Sequence, residues 1–190
     1  PRARRRGRSV STDALGIDIG GTGVKVAALG GDGAWRLGVS ERYAKPDREA
    51  LLGALRQAIG RAGVERPPGR VGLCVPGIAS AGGERIEIAV NVPGLVGWSF
   101  VDLVREAVGG PASVVRTNDA AAATTDWVRA HGVGGRVAGV VIGTGVGLSV
   151  VDEGEPVSWT DGAAGHLGQV DVTVGDADSA PVGPDGGRGG

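Results

Sequence analysis

Two glycine turns and two acidic side chains are the residues in this chain whose types and spacing could do chemistry. Residues 15–29 read LGIDIGGTGVKVAAL. Leu15, Ile17 and Ile19 alternate with Gly16, Asp18 and Gly20, which is the period of a strand. Val24, Val26, Ala27 and Ala28 read as a returning strand, so Gly20-Gly21-Thr22-Gly23 is a hairpin turn. Glycine in a turn tolerates positive φ and lets the backbone approach a ligand closely. Successive N–H groups there, with the Thr22 hydroxyl, can hold phosphate oxygens. Taken alone, the segment is also what a hairpin with Asp18 turned to solvent looks like.

The second half of the chain begins as the first does. Residues 139–142 read as a strand, Gly143-Thr144-Gly145 as a turn, and residues 146–151 as a returning strand. GVVIGTGVGLSVVDEGEPVSW set against GIDIGGTGVKVAALGGDGAW is a weak internal repeat. A fold that repeats a phosphate hairpin once per lobe can close both hairpins on one nucleotide. Between the two lies Asn118-Asp119, after a short strand at 113–116 and before an Ala-rich helix at 120–131 closed by Gly132. A carboxylate emerging at a strand end can take a proton from a hydroxyl nucleophile. Asp119 is equally placed to cap the helix, with Asn118 a turn residue.

The elements that must position these groups follow from periodicity. Residues 35–43 read as a third strand, and Asp47 as the N-cap of a helix with Leu51, Leu52, Leu55, Ile59 and Ala62 on one face and Gly63 as its stop. Residues 70–75 and 86–92 read as strands, residues 91–98 as a loop, and residues 100–108 as a helix ending at Gly109-Gly110. Cys74, in mid-strand, reads as a small core residue.

At 190 residues the chain is one large domain or two small ones. With one Phe, one Tyr and 41% hydrophobic residues, its core must be Val, Leu, Ile and Ala. The 38 glycines follow no collagen period and mark turns. A net charge of −1 argues against a general nucleic-acid binder. Cys74, the only cysteine, excludes an internal disulfide and a thiolate metal cluster. No apolar run reaches membrane-spanning length and no secretory h-region is seen, so a cytoplasmic location is expected. Residues 1–12 carry Arg2, Arg4, Arg5, Arg6 and Arg8 and are expected to be a disordered basic tail without assigned function.

DIGGTGVK, the strand ending VPG, NVPGLVGW, ND before an Ala-rich helix, GTGVG and GAAGHLGQ occur in an order that resembles the ROK-family sugar kinases, within the larger sugar kinase/actin/heat-shock ATPase superfamily. The resemblance runs from about residue 13 to 174. It implies an α/β fold: a ribonuclease H-like, actin-like ATPase lobe with a mixed sheet flanked by helices at 13–133, the opening strands of a second, incomplete lobe at 134–174, and a Gly-rich disordered end at 175–190. It implies ATP and Mg²⁺ as cofactors. Gly20, Gly21 and Thr22 would contact the terminal phosphates with Lys25 nearby, Asp18 would hold Mg²⁺, and Gly143, Thr144 and Gly145 would form the second phosphate loop. Asp119 would be the base at the sugar, beside Asn118, with Asn91 and Gly77 in the sugar pocket. The expected activity is phosphorylation of a hexose hydroxyl, glucose by default, and full-length members are usually homodimers.

Three departures from the family pattern bear on that expectation. The family segment GxxGExGH binds sugar hydroxyls through its Glu and His, whereas here His166 stands for the Glu and Gln169 for the His. Both can still hydrogen-bond hydroxyls, but the carboxylate acceptor is lost. No Cys follows residue 170, so no zinc site is visible in the sequence. ROK proteins are also longer than this chain, so a truncated product with little or no kinase activity is expected. The alternative from another class is a non-catalytic, sugar-sensing ROK regulator.

Overall fold

The computed structural model describes residues 12–80, 82–110, 113–142 and 146–157. β1 (Thr12–Gly20) and β2 (Gly23–Gly30) pair antiparallel through a two-residue turn, and β3 (Trp35–Val39) adds antiparallel to β2. α1 (Arg48–Arg61) then crosses over to β4 (Arg70–Cys74), which lies parallel to β1. A small hairpin of β5 (Ile78–Ala79) and β6 (Ile86–Ile88) and a second helix, α2 (Phe100–Val108), lead to β7 (Ser113–Thr117), parallel to β4. The result is a five-stranded mixed sheet ordered β3-β2-β1-β4-β7, the flanked α/β lobe that the sequence predicts.

Strand alternation explains which face carries the core. Leu15, Ile17 and Ile19, Val24 and Val26, and Val71 and Leu73 are all buried, and they meet Leu51, Leu55, Ala58 and Ile59 of α1 with Leu103 and Val104 of α2. Each fully buried Leu or Ile contributes about 1.5–3 kcal/mol relative to leaving it exposed. Asp47 caps α1 by accepting from the Ala50 N–H at 2.9 Å, and Gly63 follows its end at φ +72°. Ser99 caps α2 and Gly109 ends it in the left-handed region. Gly38 faces α1 so closely that a Cβ there would run into the Ala58 carbonyl oxygen.

Some elements are shorter than their periodicity suggests. The third strand stops at Val39 because Ser40 substitutes its side chain for the ladder, accepting from the Val24 N–H at 2.9 Å and donating to the Glu41 carbonyl at 2.7 Å. Of residues 86–92 only Ile86–Ile88 is strand, and the chain then enters a single 3-10 turn at Pro93–Leu95. Cys74 ends β4 on the face opposite Leu73 and is half-buried, so it is not a core residue.

α3 (Asp119–His131) packs on a second, antiparallel sheet of β8 (Arg136–Ile142), β9 (Val146–Asp152) and β10 (Glu155–Pro156). Thr124 is buried against Gly139, where any Cβ would collide with its side chain. The internal repeat thus appears as two antiparallel hairpins, β1–β2 and β8–β9, in separate sheets. No helix among the described residues is long and apolar enough to cross a membrane.

Candidate functional site

β1, β4 and β7 are parallel, so their C-terminal ends lie side by side, where ligands bind in open α/β sheets. One rank of register partners crosses these ends: Lys25 opposite Asp18, Asp18 beside Cys74, and Cys74 beside Thr117. Beyond the rank, β1 runs into the glycine turn and β7 into Asn118-Asp119. The topology therefore gathers at one sheet edge groups that are far apart in sequence.

Gly21 and Thr22 form the turn, and Gly20 pairs with Gly23 across it. None of these glycines uses the left-handed region that glycine tolerates. They serve by lacking side chains. A Cβ on Gly21 would sit 3.3 Å from the Asn91 Cβ, and one on Gly23 would sit 3.3 Å from Ser40 Oγ. The Tyr43 hydroxyl donates to the Gly20 carbonyl at 2.7 Å and the Tyr43 N–H donates to the Thr22 carbonyl at 3.1 Å.

Lys25 Nζ lies 3.6 Å from Asp18 Oδ2, with the two side chains 74% and 44% exposed. So open an ion pair contributes under about 1 kcal/mol, and both groups stay available to a ligand. Among the described residues no cluster of three His, Cys, Asp or Glu could hold a metal ion. Mg²⁺ does not require one: it is commonly held by one or two carboxylates together with substrate phosphates and water. Asp18, half-buried beside the glycine turn with its carboxylate 44% exposed, fits that donor set.

At the end of β7 the helix cap belongs to Asn118, whose Oδ1 accepts from the Ala121 N–H at 2.7 Å. Asp119, read from sequence as a possible cap, is instead the first helical residue. It is exposed, and its Oδ1 accepts from the Ala120 N–H at 2.8 Å. Gly147 of β9 borders it: a Cβ there would stand 3.8 Å from Asp119 Oδ1. The second hairpin therefore reaches the N-terminus of α3.

Cys74 reports on both carboxylates. Burial, then the charges of Asp18 and Asp119 and a hydrogen bond with Asp18, push its thiol up to about 12, with Lys25 opposing. Burial and Asp18 likewise push the Tyr43 phenol up to about 12. Asp18 and Asp119 thus act on a common neighbour.

Asn91 is exposed beside the turn. Gly77 has φ +104°, and a Cβ would collide with the Ile88 carbonyl oxygen, so β5 and β6 need glycine there whatever else it does. Gly143, Thr144, Gly145, His166 and Gln169 lie outside the described residues. Ser40 and Tyr43 carried no role in the sequence, and Cys74, which reads there as a core residue, lies beside Asp18 instead. The one available signal was that Tyr43 is the only tyrosine in the chain.

The family model described as ROK family matches residues 14–189. N-acetylmannosamine kinase of Citrobacter koseri is 32% identical over 162 residues, which cover 81% of this chain and 52% of the relative. Among solved structures, a ROK family glucokinase from Streptomyces griseus in complex with glucose and AMPPNP has a TM-score of 0.68 at 26% identity, covering 93% of this chain and 54% of the other. A ROK family protein from Streptococcus pneumoniae in complex with sucrose has a TM-score of 0.65 at 28% identity, covering 85% and 53%. The chain spans about half the length of these relatives. With the motifs in order, the two-hairpin topology and a family match over nearly its whole length, the chain belongs to the ROK family.

Proposed function

We propose that this chain carries the phosphate-gripping and sugar-activating groups of an ATP- and Mg²⁺-dependent hexose kinase. The observation that supports this most is that the glycine turn and Asp18 on β1, and Asp119 after β7, lie at the same end of parallel strands on either side of β4. Phosphoryl transfer depends on positioning and charge neutralisation more than on covalent help. In this reading the backbone N–H groups of Gly20, Gly21 and Thr22 hold the terminal phosphates, with Lys25 alongside and Gly143, Thr144 and Gly145 closing from the other hairpin. Asp18 would hold Mg²⁺, which neutralises phosphate charge when bound. Asn91, Asn118, His166 and Gln169 orient the sugar, with Gly77 shaping the pocket wall.

Asp119 accepts the proton of one sugar hydroxyl. The freed oxygen forms a bond to the γ-phosphorus as the bond to the bridging oxygen breaks, releasing ADP. The substrate class is a hexose or an N-acylated amino sugar, with glucose and N-acetylmannosamine the first to test because relatives bear those names. Calorimetric titration of the chain with each sugar and with Mg·ATP, beside a sugar-dependent ADP-release assay, tests the reading. Saturable binding of both ligand classes is expected. In a full-length version carrying these residues, Asp119→Ala should remove at least about a hundredfold of the sugar-dependent turnover while keeping Mg·ATP affinity. Undiminished turnover in that variant would reject the assignment.

A second reading rests on His166 and Gln169, which replace a Glu and a His expected of ROK kinases. A hydrogen bond to a charged partner contributes about 1.5–3 kcal/mol, so its loss weakens the usual sugar or favours another. A sugar-sensing role without catalysis would show as sugar binding with no Mg·ATP binding.

A further inference from the structure

Between β3 and α1 the chain does something that neither element requires: it fastens itself to the glycine turn. The Ser40 N–H donates to the Val24 carbonyl at 2.9 Å while Ser40 Oγ accepts from the Val24 N–H at 2.9 Å, and Ser40 is buried. Three residues on, the Tyr43 N–H reaches the Thr22 carbonyl and its hydroxyl reaches the Gly20 carbonyl. The far end of the segment is fixed as well. The Pro46 carbonyl accepts from the Gly94 N–H at 2.9 Å, and Asp47 caps α1.

These bonds take up the carbonyls on both sides of the Gly21 peptide. A hairpin turn without side chains at Gly20, Gly21 and Gly23 has little of its own to hold one conformation, since glycine costs the most backbone entropy to fix. Donors aimed at an anion bind it tightly only if their orientation is set beforehand. With the Gly20 and Thr22 carbonyls held by the brace, the trans peptides they belong to turn the Gly21 and Gly23 N–H groups away from it.

We infer that Tyr43, backed by Ser40, is a positioning residue that locks the 20–23 turn in its phosphate-receiving conformation. The inference rests on the phosphate role proposed for that turn. It makes Tyr43 a determinant of phosphate affinity although it touches no ligand.

The test uses the 190-residue chain, with Mg·tripolyphosphate and Mg·ATP as probes. Tripolyphosphate engages the turn without any adenosine contact. Tyr43→Phe keeps the ring and deletes only the hydroxyl, and the Kd for both probes should rise about three- to tenfold, the worth of one neutral hydrogen bond. The Kd for glucose and for N-acetylmannosamine should be unchanged, and amide exchange at Gly21, Thr22 and Gly23 should accelerate while exchange in α1 does not. Tyr43→Leu should weaken the phosphate probes at least as much. Wild type and Tyr43→Phe binding both probes equally, with only a lower melting temperature, would overturn the inference and leave the function intact. Wild type failing to bind either probe would instead reject the phosphate role of the turn, and this inference with it.

Discussion

Cys74 stands beside Asp18 in the parallel register and feels the charge of Asp119 as well. Burial disfavours a thiolate, and both carboxylates add to it, so its pKa is raised from 9.0 to about 12. Thiolate is the reactive form. At pH 8 the folded chain should therefore react with a disulfide-exchange reagent about two to three orders of magnitude more slowly than the unfolded chain, a difference measurable by following thiol release with and without denaturant. Equal rates would mean that Cys74 is neither buried nor beside the two acids. The same shift has a consequence for stability. A folded pKa above the unfolded value means that the contribution is complete below pH 9.0 and is lost as pH rises toward about 12. Tyr43, raised from 10.0 to about 12, acts with the same sign over a higher and narrower window. Denaturant midpoints should accordingly fall as pH rises above about 9, and Cys74→Ala should flatten the first part of that fall.

Helix α1 and the strand it covers show how glycines have opposite meanings. Gly53 and Gly60 lie within it with nothing near the position a Cβ would take. Gly53→Ala should raise stability by about 0.5–1 kcal/mol through helix propensity and a less flexible unfolded chain. Gly38, on the strand that α1 covers, meets the Ala58 carbonyl oxygen and the Ala62 nitrogen. Gly38→Ala must push helix and strand apart and should cost about 3 kcal/mol, with urea midpoints for the two variants moving in opposite directions. The contrast also marks the limit of what the sequence discloses. The β1–β2 hairpin, the Asp47 cap and α2 are legible because their causes are local: alternation, a capping residue, a stop glycine. The two-residue β5 is not, since its pairing with β6 comes from Gly77 letting the backbone close on Ile88. Ala120, Thr124 and Val128 give α3 a buried stripe that periodicity can find, but periodicity does not say that the stripe meets β8 and β9. Of the candidate site, the glycine turn and Asn118-Asp119 are visible as motifs. Tyr43 is not, because its bond to Gly20 spans 23 positions and no spacing announces it.

Across the molecule, the five-stranded and the three-stranded sheet each have one face packed on helices and one face open among the described residues. The outer face of the five-stranded sheet shows Trp35, Leu37, Val39 and Val115 at 63%, 73%, 53% and 67% exposure, and β8 shows Val140 and Ile142 at 55% and 80%. These are strand positions one residue out of phase with the core, so the same pleat that buries Val24 and Val26 brings a second apolar set to the surface. Glycine widens the first patch: Gly16 and Gly72 lie adjacent across β1 and β4, leaving a low floor between β3 and β7. Surfaces of this kind associate or aggregate when nothing packs on them. Among the described residues β3 and β8 are also edge strands, and apart from the Val39 carbonyl, which accepts from Arg61, their outer backbone groups can template further pairing. The chain in solution should therefore self-associate with rising concentration from the micromolar range upward, as read by sedimentation velocity, and should bind a hydrophobic dye while its far-ultraviolet dichroism stays native. Leu37→Lys and Ile142→Lys remove apolar area where a side chain already points to water, so neither should cost core stability. Each should shift the association to higher concentration, and the pair together should do so more than either alone if the two faces act independently. Association unaltered by both changes would place the contact elsewhere, and a chain monomeric at all concentrations would mean that these faces are covered.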